Sequence, residues 1–283
     1  MIEISNIVAM SAPSGRLVGA FLALTLVFIA AETIYSRLSG HDDHHDLHET
    51  AASVGVAIGD VVSRFLTSGL VAVPFLWLYQ YRLFDIPLDT VWSVLALFLG
   101  VEFFYYWFHR ASHRVRWLWA THAVHHSATH FNLSAAIRLG WTGQLTGAFV
   151  FFLPLAGIGF HPIAIGLMLS LGLLYQFFLH TAYDVRLGPL EWVLNTPVHH
   201  RVHHASNEPC LDKNYGSTLI VFDRMFGTFA QAPPDEPLRF GLKGRLACNN
   251  PFEIAFGEWR RLLKDVRAAP GFTARLKVLF GAP

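Results

Sequence analysis

Three short histidine groups, each set beside an apolar run, constrain this chain more than any other feature. HRASH carries His109 and His113, HAVHH carries His122, His125 and His126, and HRVHH carries His200, His203 and His204; His180 closes an apolar run between the second and third groups. Imidazole is the commonest metal ligand near neutral pH, and residues three or four apart share a face of a helix. The fold must therefore bring helix ends from distant parts of the sequence to one place. Eight imidazoles exceed what one metal needs. Two irons with about four to five nitrogen ligands each would use them, whereas a structural zinc closes with about four ligands and usually includes cysteine.

The apolar runs set the solvent. Hydrophobic residues make up 53% of the 283 and charged residues only 14%, against about 25% charged in ordinary globular chains. This composition marks a membrane protein, and backbone groups inside a bilayer require helices or closed barrels. Leu17 to Ile34 is long enough for one crossing and reads as a retained span, not a cleaved leader, because only Arg16 precedes it as a basic residue. The run from Ala51 to Tyr81 carries Asp60 and Arg64, which can pair one helical turn apart. Its first half is expected to be an interfacial or buried helix, and its second half, from Gly69, to enter the membrane. Leu88 to Phe108 is a further span. Trp141 to Phe160 and Pro162 to Leu179 are expected to form a hydrophobic hairpin turning at Gly157 to Pro162.

Basic residues cluster at Arg110, Arg114, Arg116 and Arg138, and again at Arg201, Lys213, Arg224, Lys243 and Arg245. The positive-inside rule then places the histidine groups and the C-terminus in the cytoplasm and the N-terminus outside. A net charge of +1 excludes a polyanion-binding surface, so no nucleic-acid partner is expected. Phe252 to Arg267 alternates apolar and basic residues at helical spacing. It can lie on an anionic membrane surface or pack on the rest of the protein. Cys210 and Cys248, the only cysteines, form no CxxC pair and read as reduced, buried thiols.

Within the groups, His122 and His125 stand one turn apart, and adjacent His126 projects about 100° around the axis, an offset suited to a second metal. His200, His203 and His204 repeat the pattern. Glu102 stands two turns before His109 on nearly the same face and could orient a ring. A single histidine is more often a satisfied core residue than a ligand, but three spaced clusters beside membrane segments outweigh that reading. His199 reads as a bystander or an outer-layer residue, and His130 and His161 as turn residues. HDDHHDLHE, His41 to Glu49, lacks an apolar face and reads as a solvated loop. An all-imidazole iron pair in a dry setting suits dioxygen activation for attack on an unactivated C–H bond. Such chemistry needs electrons. With no GxGxxG opening a helix and no CxxCH haem site, the reductant is expected from a separate partner.

At HRASH, HAVHH and HRVHH the sequence resembles the fatty acid hydroxylase superfamily of membrane di-iron enzymes, also called the sterol desaturase family. The resemblance covers roughly residues 50 to 230. LGPLEWVLNTPVHHRVHHASNEPCLDKNYGSTLIVFDRMFGTF, residues 187 to 229, is similar to its alkylglycerol-monooxygenase-like bacterial branch. The resemblance implies a histidine-rich cytoplasmic cap holding two irons over a lipid-entry cavity. It implies ligand roles for His109, His113, His122, His125, His126, His200, His203 and His204, and makes His180, in FFLHT, a ligand as well. It also matches Asn214, Tyr215, Gly216 and Asp223, for which a turn and a backbone-amide contact are an equally good account. A tetrahydropterin is the external reductant the resemblance suggests.

The expected protein is all-α and multi-span. Residues 1–50 give an N-terminal span and His/Asp-rich loop, 51–230 a membrane-embedded catalytic domain, and 231–283 an amphipathic membrane-interface tail. The expected function is a di-iron, dioxygen-dependent hydroxylase of a membrane lipid, in a bacterial inner membrane. A desaturase using the same centre is the enzymatic alternative; a membrane divalent-metal-binding or transport protein, or one stabilised by structural zinc, is the alternative of another class. Zinc can replace iron in purified protein because it binds imidazole more tightly than ferrous iron.

Overall fold

The computed structural model describes residues 15–283, which are helices and turns joined by one isolated antiparallel bridge, Leu194 to Leu219. The expected extracellular N-terminus lies outside the described residues. Contacts divide the chain into two compact units meeting between His45 and Asp46.

The first unit contains helix α1 (Gly15–Leu38), which carries the expected first span, and a short 3₁₀ turn at Asp42–His44. Part of the expected solvated loop is tied back. His45 Nε2 lies 3.7 Å from the Glu32 carboxylate, and its Nδ1 lies 3.3 Å from the Thr33 hydroxyl.

The second unit opens with α2 (Leu47–Gln80), whose first turn is capped by Asp46 accepting from Glu49 N at 2.9 Å. The run from Ala51 to Tyr81 forms one continuous helix as far as Gln80. At 34 residues it is about 51 Å long, well beyond a ~30 Å hydrocarbon core. Its start packs with the rest of the unit: Ala52 and Val56 form a small core with Val124 and Ile254. Farther along, Phe65 is 78% and Leu66 74% exposed, and Val73 and Trp77 are exposed too. Side chains of that kind on a helix surface suit lipid. Asp60 and Arg64 pair as expected, at 2.7 Å.

Helix α3 (Val91–Arg114) starts at a Thr90–Ser93 capping box and runs past the apolar stretch, so His109 and His113 sit on its last turns. Helices α4 (Arg116–His122) and α5 (Leu133–Ala136) follow. The segment expected to be the first arm of a membrane hairpin does not form one long helix. Turns occupy 141–147, a 3₁₀ stretch spans Ala148–Phe152, and α6 (Leu153–Ile158) has six residues, about 9 Å. Gly147 marks the interruption: it takes a left-handed φ of +79° between the turns and the 3₁₀ stretch, which a continuous right-handed helix does not contain. Helix α7 (Pro162–Leu179) is the second arm; the His161 ring accepts from Ile163 N at its start. Phe75, Leu97, Val101, Phe152, Leu155 and Ile165 join α2, α3, the 148–158 stretch and α7 in one apolar core. Among the described residues, Asp42–Gln80, Val91–Arg114 and Pro162–Leu179 are long and apolar enough to cross a membrane.

Helices α8 (Pro197–His204) and α9 (Val221–Met225) complete the region above α3 and α7. Near the C-terminus, α10 (Pro251–Ala268) buries Ile254, Ala255 and Leu262, and α11 (Gly271–Phe280) follows it. Trp259 stacks edge-on against Trp117 and donates to Thr142 Oγ1 at 2.8 Å, while Asp265 pairs with Arg116. Part of the apolar face of α10 is thus packed on protein, while Phe252, Phe256 and Leu263 stay exposed along with Arg260, Arg261 and Lys264. Cys210 is buried, but Cys248 is exposed, contrary to the expectation of two buried thiols; it lies in the coil that precedes α10.

Candidate metal centre

The nine histidines converge because five separate pieces of chain end at one place. The last turns of α3 supply His109 and His113, and the end of α4 supplies His122. A 3₁₀ turn supplies His125 and His126, the C-terminus of α7 supplies His180, and α8 supplies His200, His203 and His204. Ligand-capable atoms fall into two sets, each within 4.8 Å of one another: His109, His113, His122, His126 and His203 in one, and His125, His180, His200 and His204 in the other.

This partition corrects the expected one. Spacing suggested that His122 and His125 would share a metal and His126 would reach the second. Instead His122 and His126 share a set and His125 crosses over; likewise His200 and His204 share a set and His203 crosses over. A step of four residues rotates a side chain about 40° around a helix axis and a step of three about 60° the other way. The second and third groups therefore each feed both sets.

The hydrogen bonds fix ring tautomers. A carbonyl oxygen can only accept, so the Nδ1 atoms of His109, His125, His180 and His203 donate to the carbonyls of Tyr215 (2.7 Å), Arg138 (3.2 Å), Gln176 (2.7 Å) and Lys213 (2.8 Å). Their Nε2 atoms then carry lone pairs. Yet His180 Nε2 lies 3.2 Å from His125 Nε2, two lone pairs pointing at each other, and also 3.2 Å from His204 Nε2 and 3.1 Å from His200 Nε2. In the other set His109 Nε2 is 3.0 Å from His122 Nε2, and the Nε2 atoms of His113 and His203 have no hydrogen-bond partner. Converging lone pairs repel unless a cation lies among them. Nitrogens about 2.0–2.1 Å from a metal would stand roughly 3.0–3.4 Å from one another, which matches these spacings, so the residues fit a metal in each set. The donor set, all imidazole, suits iron, zinc, copper or nickel.

Burial keeps the rings neutral. It pushes His125 down to about 4, and it holds His122, His126, His180, His200, His203 and His204 well below the usual imidazole value, with neighbouring imidazoles adding in the same direction. A neutral ring is the form that ligates. Trp119 packs against His113 and His126, and Phe131 stacks on His180 at 5.4 Å, which closes the centre to water from two sides.

Of the other sequence candidates, Tyr215 lies edge-on to His109, His113 and His203, with ring centroids 5.8, 5.3 and 6.0 Å apart, whereas Asp223, Glu102 and Asn214 bond backbone and hydroxyl groups. Asp223 accepts from Tyr215 N, Gly216 N and Thr228 Oγ1 at 2.7–2.8 Å, and Glu102 accepts from Thr218 N and Leu219 N at 2.9 and 2.8 Å. Asn214 bonds the backbone of His199 and Ala230. All three hold the turn from Asp212 to Leu219, in which Asp212 and Asn214 take positive φ of 59° and 57°. That turn aims the carbonyls of Lys213 and Tyr215 at His203 and His109. His199 points away, its ring against Phe229. The sequence reading missed Lys213, Gln176 and Arg138, which act through backbone carbonyls, and no side-chain pattern encodes such a role. It also missed Glu49, which is buried and accepts from Thr129 N and pairs with His130.

A helical protein with three membrane-length helices and two buried imidazole clusters able to bind metal belongs to a narrow class of membrane-type histidine-cluster proteins. Residues 94–228 match the fatty acid hydroxylase family, and the chain belongs to the fatty acid hydroxylase superfamily, which also embraces sterol desaturases. It is 40% identical over 237 residues to the alkylglycerol monooxygenase of Xenopus tropicalis, covering 83% of this chain and 51% of that protein. It is 40% identical to the human alkylglycerol monooxygenase, covering 83% and 52%. An ornithine lipid hydroxylase of Rhizobium tropici is 28% identical over 70% of this chain and 58% of its own. The chain spans about half the length of the curated relatives it matches. No solved structure matches it.

Proposed function

We propose that this protein is a di-iron, dioxygen-dependent monooxygenase that hydroxylates a membrane lipid. The observation that carries the reading is the pair of buried imidazole sets, in one of which the Nε2 lone pairs of His125 and His180 face each other at 3.2 Å. His109, His113, His122, His126 and His203 would hold one iron, and His125, His180, His200 and His204 the other. Bound iron would supply dioxygen activation and the oxidising power for a C–H bond. The chain's own residues hold the irons, fix ring orientation through four backbone carbonyls and keep out water. α3 and α7 lead from the membrane side to the centre. Along them Tyr105 donates to Gln176 Oε1 at 2.7 Å and Gln176 donates to Ser217 at 3.0 Å, a polar pair that a lipid arriving from the bilayer would meet.

The cap faces the cytoplasm of a bacterial inner membrane, as the basic residues around it suggest. A separate electron donor, of which a tetrahydropterin is one candidate class, completes the reaction. The division into an N-terminal span, a catalytic region over 51–230 and a C-terminal tail belongs to the same reading. Metal transport is disfavoured because the carboxylates along α2 and α3 are engaged, Asp60 by Arg64 and Glu102 by backbone amides. The test is incubation of iron-loaded protein in nanodiscs with a total bacterial lipid extract, a chemical reductant and ¹⁸O₂. A lipid gaining one ¹⁸O, absent with His200→Ala or His203→Ala, is expected. A lipid losing two hydrogens with no label would make the protein a desaturase, and no lipid change from protein carrying two irons would contradict both.

A further inference from the structure

Arg138 is the largest side chain with no exposure at all, and nothing in the proposed chemistry uses it. Its surroundings are specific. The guanidinium donates from Nε to Ser53 Oγ at 2.8 Å and from Nη2 to Glu49 O at 3.1 Å, both on α2, with the Glu49 carboxylate 3.4 Å away. Nη1 donates to Ser127 Oγ at 3.1 Å, and that hydroxyl donates to Val124 O at 2.7 Å. The carbonyl of the same residue accepts from His125 Nδ1 at 3.2 Å.

Arg138 therefore grips the 3₁₀ turn His125–Ser127 at both ends, ring and hydroxyl, and grips α2 at two more points. The turn needs an outside hold. His200 and His204 are placed by one regular helix and His180 by the carbonyl of Gln176 on its own helix, whereas His125 stands in three residues of 3₁₀ turn. A guanidinium is the group that can do this, because its planar fork donates in three fixed directions, while an ammonium is a point charge on a flexible stem.

We propose that Arg138 is the positioning residue of the four-histidine set: it fixes the direction of the His125 ring directly and ties that set to the start of α2, whereas His126, which the same turn lends to the five-histidine set, makes no bond to Arg138 and is held only through the turn. The inference rests on the metal-binding reading above. Outer-layer contacts of metal ligands are worth about 10–100-fold in metal affinity. The effect of losing Arg138 should thus fall unequally on the two metals, most on the one that His125 serves.

The experiment is an anaerobic titration of purified full-length protein with ferrous iron alone, reading bound metal per chain and the affinity of each equivalent. Wild type, Arg138→Lys, Ser53→Ala and Ser127→Ala are compared. Wild type is expected to bind two irons. Arg138→Lys should bind one iron at least tenfold more weakly and the other, which receives His126 from the same turn, by a smaller factor, and His125→Ala should lose the first of these equivalents. The serine variants, which leave the arginine in place and each remove one of its partners, should weaken that equivalent by a smaller factor and carry the test if Arg138→Lys does not fold. Equal weakening of both irons, or two irons at wild-type affinity in all three variants, would overturn the proposal. Fewer than two irons in wild type would instead overturn the di-iron reading, so the two failures are distinguishable.

Discussion

Asp223→Asn should release one metal while leaving the helices in place. Asp223 is fully buried, with Oδ2 accepting from Gly216 N and Oδ1 from Tyr215 N and Thr228 Oγ1. The amide preserves shape, but its nitrogen, placed at Oδ2, faces the Gly216 N–H donor to donor. Stripping one buried N–H of its acceptor costs about 1–3 kcal/mol, and loss of a charge-assisted bond puts the sum near the upper end, so about 2–3 kcal/mol is expected. The consequence reaches the site because Gly216 N and Tyr215 O belong to one peptide group, and that oxygen accepts from His109 Nδ1 at 2.7 Å. A peptide held at both ends is polarised by both bonds, and freeing one end lets the other turn away from the ring. Affinity for the metal of the five-histidine set should fall about 10–100-fold, with the four-histidine set unaffected. Urea denaturation and an anaerobic ferrous titration measure the two effects. Wild-type stability together with two irons at wild-type affinity would refute this chain of reasoning.

Other outcomes follow from the same contacts. Glu102→Gln, which weakens the hold on Thr218 N and Leu219 N at the far side of the same turn, should reproduce the loss of the same metal more mildly, by about tenfold or less, in the same titration. Removing metal with a chelator should lower the thermal midpoint, because a ligand present at about 100 times its Kd stabilises the folded chain by about 2.7 kcal/mol per site; an unchanged midpoint would contradict metal binding at the buried sets. The hydrogen bond to Glu49 raises the His130 pKa above its ordinary value. Stability from that bond is full below about 6.5 and is lost as pH rises through the raised folded value, so the wild-type advantage over His130→Gln in denaturation should shrink as pH rises above about 6.5. Tyr105→Phe should keep both metals and change KM or product regiochemistry, read by product analysis.

Periodicity made the long helices legible. The run from Leu88 predicted α3, and the histidines on its far end lay on the same helix because no proline or glycine follows Gly100 before Arg114. The gathering of the nine imidazoles could also be anticipated, since one-turn spacing at the ends of apolar runs leaves few other places for them. Their partition could not. Whether His125 or His126 shares a set with His122 depends on how α4 gives way to a 3₁₀ turn, a local backbone choice that side-chain spacing does not specify. The segment 141–160 misled for a related reason. Its hydropathy is that of a span, but Gly147 takes a left-handed φ of +79° within it, and backbone conformation is invisible to hydropathy. The outermost layer was the least legible. Carbonyls of Arg138, Gln176, Lys213 and Tyr215 do the orienting, and every residue has a carbonyl.

The central claim is that two sets of imidazoles hold two irons. Mössbauer spectroscopy of protein loaded anaerobically with ⁵⁷Fe, combined with iron content per chain, tests it most directly. Two ferrous sites in nitrogen-rich coordination, one lost in His200→Ala and the other in His203→Ala, is the predicted result. A single site, or iron that survives both substitutions, would contradict the account.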